Sequence, residues 1–199
     1  MSHAEFVHLR VRSAYSLLDG ALHAPDIVDL AKSNDMPALA VVDNRNLFGA
    51  LEFSMKATGA GIQPITGVIL PISRDQVEID SSQRRPPADD LVLLAQDQTG
   101  YANLMKLVSN AYLSSDGDYD PEIKLDNLEG NTEGLIALTG GPNGAVNRLI
   151  RENQFERAET RLNHLKKLFP NRLYVEIQRI DLPEEIEVEP NLIKLAYSL

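Results

Sequence analysis

Basic and apolar residues alternate near the start of the chain, in the order Val7, His8, Leu9, Arg10, Val11, Arg12. Neighbouring side chains of a strand lie on opposite faces, so this order predicts a strand with one basic and one apolar face. A Leu-Leu-Asp-Gly turn follows and ends at Gly20. If the strand belongs to a barrel, the basic face is directed at a site near its C-terminal end. The opening stretch therefore predicts a polar site.

Three other polar motifs could carry chemistry, and for each a structural interpretation is favoured. Gly140–Gly144 lacks both the P-loop and the dinucleotide-binding pattern, so a strand-to-helix turn is preferred to a phosphate site. The acidic run of Glu184, Glu185, Glu187 and Glu189 is interpreted as a solvated face rather than a metal cluster. Arg84 and Arg85 could touch DNA or a partner, but a surface loop is preferred.

Composition narrows the classes of protein. The chain has 199 residues and a net charge of −10, so its overall field does not favour nucleic acid. It has no cysteine, which excludes disulfides and thiolate chemistry. Neither a signal peptide nor an apolar run of about 18 residues is visible. We therefore expect a cytoplasmic protein with no membrane contact.

Helix and strand patterns alternate along the chain and predict a parallel α/β architecture. Strands are expected at residues 6–12, 38–42, 65–72, 91–95, 135–138 and 173–177. Helices are expected from Ala24, at 47–58, at 101–112 and at 155–169. Leu192, Leu195, Ala196 and Leu199 form a last apolar stripe with no stop signal, which favours a chain cut inside a helix.

Together, three further segments and the opening stretch carry a family resemblance: V-V-D-N-R-N-L-F-G-A-L-E-F (41–53), G-I-Q-P-I-T-G-V (61–68) and L-Y-V-E-I-Q-R (173–179). The chain resembles, from end to end, the N-terminal polymerase-and-histidinol-phosphatase (PHP) domain of bacterial replicative polymerases of the polymerase III alpha type. The resemblance implies a distorted (β/α)7 TIM-like barrel. Residues 1–199 would be a single PHP domain fragment, incomplete at its C-terminus and followed by polymerase domains.

The resemblance also implies where metal ligands would lie and that most are replaced. The family's His-x-His pair corresponds to Arg10 and Arg12, and the aspartate after it is kept as Asp19. A histidine, a glutamate and a second histidine of the family correspond to Asn44, Ile69 and Ile180. Guanidinium groups stay charged and have no lone pair to donate, so no metal is expected in this site.

The sequence also predicts which residues surround the replaced ligand positions. Arg10 is expected to take over the missing positive charge and to pair with Asp19 or Asp43. His8 is expected to be a hydrogen-bonded structural residue of the barrel. His8 and Asp43 are both candidate pocket residues, and no catalytic residue is assigned.

Three functions remain open at this stage. The favoured one is a degenerate scaffold that supports a DNA polymerase and docks its proofreading exonuclease subunit. DNA contacts and the Mg²⁺ of polymerisation would then belong to other domains of the parent chain. The alternatives are a metal-dependent phosphoesterase or 3'-5' exonuclease with further ligands beyond residue 199, and a barrel enzyme that grips a small anion with Arg10 and Arg12.

Overall fold

The computed structural model describes residues 3–74, 87–115 and 120–198. Within them, five strands form one sheet in the order β1-β2-β3-β4-β5. The strands are β1 (Ala38–Asn44), β2 (Gln63–Ile72), β3 (Asp89–Ala95), β4 (Leu135–Leu138) and β5 (Leu173–Tyr174). The helices are α1 (Ala24–Ser33), α2 (Ala50–Gly59), α3 (Gln98–Leu113), α4 (Ala145–Arg151), α5 (Phe155–Leu168) and α6 (Pro183–Ser198). Short 3-10 turns cover Leu125–Leu128 and Gly141–Asn143.

The sheet is mixed rather than parallel. β1 pairs with β2 in parallel, and β4 pairs with β5 in parallel. β3 is antiparallel to both of its neighbours. The predicted parallel arrangement is therefore wrong at the centre of the sheet. An apolar run indicates that a strand is buried on both faces, but it does not give the strand's direction.

Most predicted elements are confirmed with small changes in their ends. α1, α3 and α5 and strands β1 to β4 lie where their patterns placed them. α2 begins at Ala50 rather than Leu47, and the last predicted strand is reduced to Leu173–Tyr174. α4 was not predicted. Arg84 and Arg85 lie outside the described residues.

The opening segment differs most from expectation. It runs beside β1, but only Val11 forms a bridge, with Val41. Ala40 accepts a hydrogen bond from Val11 N–H and donates one to the carbonyl of His8. Regular parallel pairing uses residues two apart, whereas these are three apart, so one extra residue interrupts the two-residue period. The predicted strand with one apolar face is therefore wrong for residues 6–10, and Leu9 is exposed.

Helices α1, α2, α3 and α5 pack against one face of the sheet. α3 and α5 bury Leu104, Leu107 and Leu165 in the largest apolar cluster, together with the central strands. α2 buries Phe53 and Ala57, while Leu51 and Met55 of the same helix are exposed. No helix in the described ranges is long and apolar enough to cross a membrane.

An ion pair fixes β3 against α4. Arg148 donates from Nε and Nη2 to the two carboxylate oxygens of Asp89, at 2.7 and 2.8 Å. The hydrogen bond from Asp89 raises the pKa of Arg148 above its already high value. Asp89 and Asp90 are adjacent in a strand, so their side chains point to opposite faces. Asp90 is thereby directed away from α4.

Candidate functional site

A polar basin of about 220 Å³ lies where β1, β2 and β3 meet the turn that begins at Gly141. Its lining includes Arg12, Asp19, Asn44 and Ile69, four of the positions that the sequence predicted. The other lining residues are Arg45, Pro71, Asp90 and Asn143. We call this depression the basin. β1 and β2 run in parallel, so residues after and near their carboxyl ends reach the same edge of the sheet.

Arg10 lies beside the basin and is held by three acceptors. It donates from Nη1 to Glu176 Oε1 at 2.7 Å and to the carbonyl of Gly140 at 3.2 Å. Its Nη2 lies 3.7 Å from Asp90 Oδ2. The prediction that Arg10 pairs with a carboxylate is confirmed, but the predicted partners, Asp19 and Asp43, are wrong. The alternation that fixed its expected direction is broken by the extra residue in the opening segment.

Asp43 is buried and fully used by the segment before it. Its carboxylate accepts hydrogen bonds from Ser13 N–H at 2.8 Å, Ser13 Oγ at 2.7 Å and Ser16 Oγ at 2.6 Å. Ser16 Oγ also accepts a hydrogen bond from Asn44 N–H at 3.0 Å. Asp43 does not line the basin. It ties the loop of residues 13–16 to the end of β1 rather than offering a ligand.

Asp19 and Asn44 face each other across the basin. The Asn44 side-chain amide donates to Asp19 Oδ2. Asp19 is the one ligand position in the resemblance that keeps the family's residue type. The Asn44 amide therefore occupies an acceptor oxygen that could otherwise bind a metal. In the wall of the basin, a neutral amide thus donates a hydrogen bond to a carboxylate.

Asp90 faces the basic side of the site. Burial raises the pKa of Asp90 above its ordinary value of 3.8, against the lowering effects of Arg10, a hydrogen bond from Asn143, Arg12 and Arg45. Removal from water disfavours the charged carboxylate, and nearby cations favour it, so the two effects oppose each other. Here burial is the larger.

The arginines of the basin are incompletely paired. The Nε atoms of Arg12 and Arg45 are buried and have no hydrogen-bond partner in the described structure. Arg45 places Nη2 3.4 Å from Asp120, whose side chain is 82% exposed. An ion pair so open to solvent contributes little. Each of these Nε atoms is therefore an unused donor that is shielded from solvent.

The turn after β4 brings backbone close to Arg10. Gly141 has φ of 57°. A Cβ added there would come within 2.7 Å of Gln178 Nε2 and 3.0 Å of Arg10 Nη1. Gln178 in turn donates to Glu176 Oε1 at 2.6 Å. The preferred interpretation of Gly140–Gly144 as a strand-to-helix turn is confirmed, and the positive φ of Gly141 favours glycine there.

Ile180 and His8 lie outside the basin. Both line a larger groove of about 1330 Å³ over the sheet face, which shares Arg12 and Asn143 with the basin. Ile180 is exposed, and its place among the replaced ligand positions stays a prediction. His8 is also exposed, and its ring contacts Phe6 edge-on at 4.9 Å. The expectation of a hydrogen-bonded barrel histidine is therefore wrong.

The acidic run near the end of the described chain begins α6. Glu185 is buried and accepts a hydrogen bond from Ile180 N–H at 2.9 Å, so the solvated-face interpretation is wrong for this residue. Glu189 pairs with Arg179 at 2.7 Å, and this hydrogen bond lowers the pKa of Glu189. The run closes a loop onto the helix and forms no shared site.

Four functional residues were missed from the sequence: Arg45, Asp90, Asn143 and Glu176. Arg45 lies between Asn44 and Asn46, directly after a predicted strand. A polar residue at the carboxyl end of a strand is a signal for a site residue, and this signal could have identified Arg45. Glu176 belongs to a predicted strand as the polar neighbour of buried residues, and Asp90 directly precedes the strand predicted at 91–95. Their convergence on Arg10 depends on strand order, which the sequence does not give.

The sequence profile of the PHP domain family matches residues 8–180, which is most of the chain. The chain belongs to the PHP domain family. It is 44% identical over 200 residues to the DNA polymerase III subunit alpha of Caulobacter vibrioides, covering 99% of this chain and 17% of that protein. It is 40% identical over 195 residues to the same subunit of Rickettsia bellii, covering 98% of this chain and 16% of that protein. The PHP domain thus spans about a sixth of the length of these relatives.

A solved structure of low sequence identity aligns with the PHP domain over most of its length. It is an amidohydrolase from Chromobacterium violaceum, with 16% identity and a TM-score of 0.49. The alignment covers 85% of this chain and 84% of that one.

The basin of this PHP domain does not fit a divalent cation. Such an ion requires carboxylates and neutral imidazoles that converge on one point. The lining offers two carboxylates, two amides, two guanidinium groups and two apolar residues. No group of three or more histidine or acidic residues in the described ranges is arranged to hold a metal. The donor set suits an anionic group better than a cation.

Proposed function

We propose that this chain is the N-terminal PHP domain of the catalytic alpha subunit of a bacterial replicative DNA polymerase III. In this role it acts in the cytoplasm as part of a DNA-directed DNA polymerase, a nucleotidyltransferase whose Mg²⁺ chemistry and DNA contacts lie in other domains. The identity to alpha subunits over nearly the whole chain supports the assignment.

The domain itself serves as a scaffold that has lost phosphoesterase chemistry. One observation carries this part of the proposal. Arg10 stands at a position where the resemblance implies a metal-binding histidine, and its guanidinium contacts Glu176 at 2.7 Å and Asp90 at 3.7 Å. A fixed organic cation thus neutralises carboxylates that could otherwise bind a metal. Replacing a divalent metal by a guanidinium supplies part of its positive charge but removes the Lewis acid and its activated water.

As a scaffold, the domain supports the polymerase and docks the proofreading exonuclease subunit. Several large apolar side chains are highly exposed, Phe48, Leu51 and Leu113 among them, and such surface is common at protein interfaces. A docking role needs surface and stability but no catalytic group. The docking and the loss of chemistry are therefore compatible in one domain.

A binding titration combined with a hydrolysis assay tests the proposal. The purified chain is titrated with the purified exonuclease subunit by calorimetry, and a 1:1 complex is expected. The same protein, incubated with Mn²⁺ or Zn²⁺, is expected to hydrolyse bis-p-nitrophenyl phosphate no faster than the metal alone. Absence of a complex would overturn the docking role. Metal-dependent turnover that tracks bound metal would overturn the loss of chemistry and favour the phosphoesterase alternative.

A further inference from the structure

The turn after β4 contains the chain's single Asn-Gly pair, Asn143 followed by Gly144. An asparagine in such a pair is prone to lose its amide, because glycine has no Cβ to keep its backbone nitrogen away from the preceding side chain. Asn143 is exposed and lines the basin. Water therefore reaches the amide that would react.

Packing requires the glycine of this pair. A Cβ added at Gly144 would lie 1.9 Å from the carbonyl oxygen of Thr139, which is far inside contact distance of the backbone. A side chain at Gly144 would therefore force the end of β4 and the turn apart. The fold thus holds at this position the residue type that leaves the neighbouring amide open to attack.

The Asn143 amide contributes to the electrostatics of the basin. Burial raises the pKa of Asp90, and a hydrogen bond from the Asn143 side chain opposes this effect. An aspartate at position 143 has no amide donor and adds a like charge. Both changes disfavour the charged form of the Asp90 carboxyl. Loss of the amide therefore alters the basin and not only the turn.

Hydrogen bonds restrain the two groups that must meet. The backbone N–H of Gly144 donates to the carbonyl of Gly141 at 2.9 Å. Arg151 donates from Nη2 to the carbonyl of Pro142 at 3.2 Å and holds the turn against α4. The Gly144 nitrogen is free to attack only after its own hydrogen bond breaks. Local opening of the turn therefore limits the rate of the reaction.

We propose that Asn143 is a site of spontaneous deamidation, which converts a neutral part of the basin wall into a carboxylate. The Gly144 nitrogen forms a bond to Cγ of Asn143, its proton goes to the departing amide nitrogen, and ammonia leaves. A cyclic imide, a succinimide, remains. Water then opens this ring at either carbonyl and gives aspartate or isoaspartate at position 143. The modification is independent of the function proposed for the domain.

Peptide mapping of the incubated chain tests the proposal. The folded chain is kept in neutral buffer below its unfolding transition, and mass spectrometry measures conversion at Asn143, Asn153 and Asn171. The last two are also exposed and also lie in turns, but Gln154 and Arg172 follow them. Conversion at Asn143 is expected to be at least about tenfold faster than at the other two, since only its neighbour lacks a Cβ.

A parallel incubation in urea measures the same rates without the turn. We expect Asn143 to convert more slowly in the folded chain than in urea, because the turn must open first. Asn143→Gln is the matched variant, since it keeps a side-chain amide but would have to close a larger ring, which forms more slowly. Anion-exchange chromatography is expected to show an acidic species that accumulates in wild type and not in this variant.

Three results would overturn the proposal. Conversion at Asn143 in urea but not in the folded chain would show that the turn protects the amide completely. Conversion at Asn153 or Asn171 that keeps pace with Asn143 would show that the glycine has no special effect in this chain. An acidic species that accumulates equally in Asn143→Gln would place the modification at another residue.

Discussion

At the scale of single residues, the site is a balance between buried carboxylates and fixed guanidinium groups. Glu176 has one oxygen bound to Arg10 and Gln178, while its Oε2 is buried without a partner in the described structure. Removing one member of a buried pair leaves an uncompensated charge, which costs about 3–5 kcal/mol. The ion pairs of the site therefore tolerate change poorly.

Asp90 provides a test of this balance through pH. Because its pKa is raised above 3.8, the folded chain holds a proton at pH values where the unfolded chain releases it. The folded state then binds more protons, so the free energy of unfolding falls as pH rises from about 3.8 to the folded pKa and is constant above it. Asp90→Asn does not titrate, and we expect this decline to disappear.

Urea unfolding of wild type and Asp90→Asn, at steps between about pH 4 and 7, measures this decline. Asp126→Asn, which removes an exposed carboxylate, corrects for the general loss of one negative charge. The free energies of unfolding of wild type and Asp90→Asn are subtracted at each pH. If this difference stays constant over the range, Asp90 ionises as freely in the folded chain as in the unfolded one.

At the scale of elements, close packing of the central strands matters more than their propensities. Gly67 lies in β2 between Val42 of β1 and Leu94 of β3. An added Cβ would lie 2.5 Å from Val42 Cγ1 and 2.6 Å from the Leu93 carbonyl oxygen. The three strands can therefore approach one another only because residue 67 is a glycine. Their close approach also brings the residues of the basin together.

Gly67→Ala is expected to destabilise the fold by about 1–3 kcal/mol through overpacking. Gly59→Ala is a matched control, since an added Cβ at the end of α2 meets nothing within 4 Å. Alanine there is expected to stabilise by about 0.5 kcal/mol, because it restricts the unfolded chain and favours the helix. Chemical denaturation compares the two. Equal effects of both substitutions would show that β2 can move away from its neighbours.

At the scale of the whole molecule, charge is distributed unevenly. The net charge is −10, yet Arg10, Arg12 and Arg45 gather at one edge of the sheet. Binding of duplex DNA by counterion release requires a broad positive surface, whereas three partly paired arginines offer a single anionic subsite. The charge distribution of the described residues therefore does not favour binding of duplex DNA.

The isolated chain is accordingly expected to show no saturable binding to duplex DNA up to roughly 100 µM protein at physiological salt. Fluorescence anisotropy of a labelled duplex measures this, with repetition at low salt, where electrostatic binding is strongest. Saturable binding that weakens steeply with salt would contradict the expectation and indicate a local DNA contact.

The sequence by itself determined the elements and the family. Runs of buried residues such as 38–42 and 91–95 are strands in the structure, and α1, α3 and α5 follow from apolar spacing. These features depend on residues close together in the chain. Four of six predicted ligand positions, Arg12, Asp19, Asn44 and Ile69, also meet in one basin, since they lie at or near strand ends.

Only the tertiary structure decided the pairing within the site. Arg10 was expected to bind Asp19 or Asp43, but Asp43 is taken by Ser13 and Ser16, and Arg10 reaches Glu176, which is 166 residues away. Such partners depend on strand order, on the antiparallel placement of β3 and on one extra residue beside Ala40. None of these leaves a periodic signal in the sequence, because each is set by contacts between distant segments.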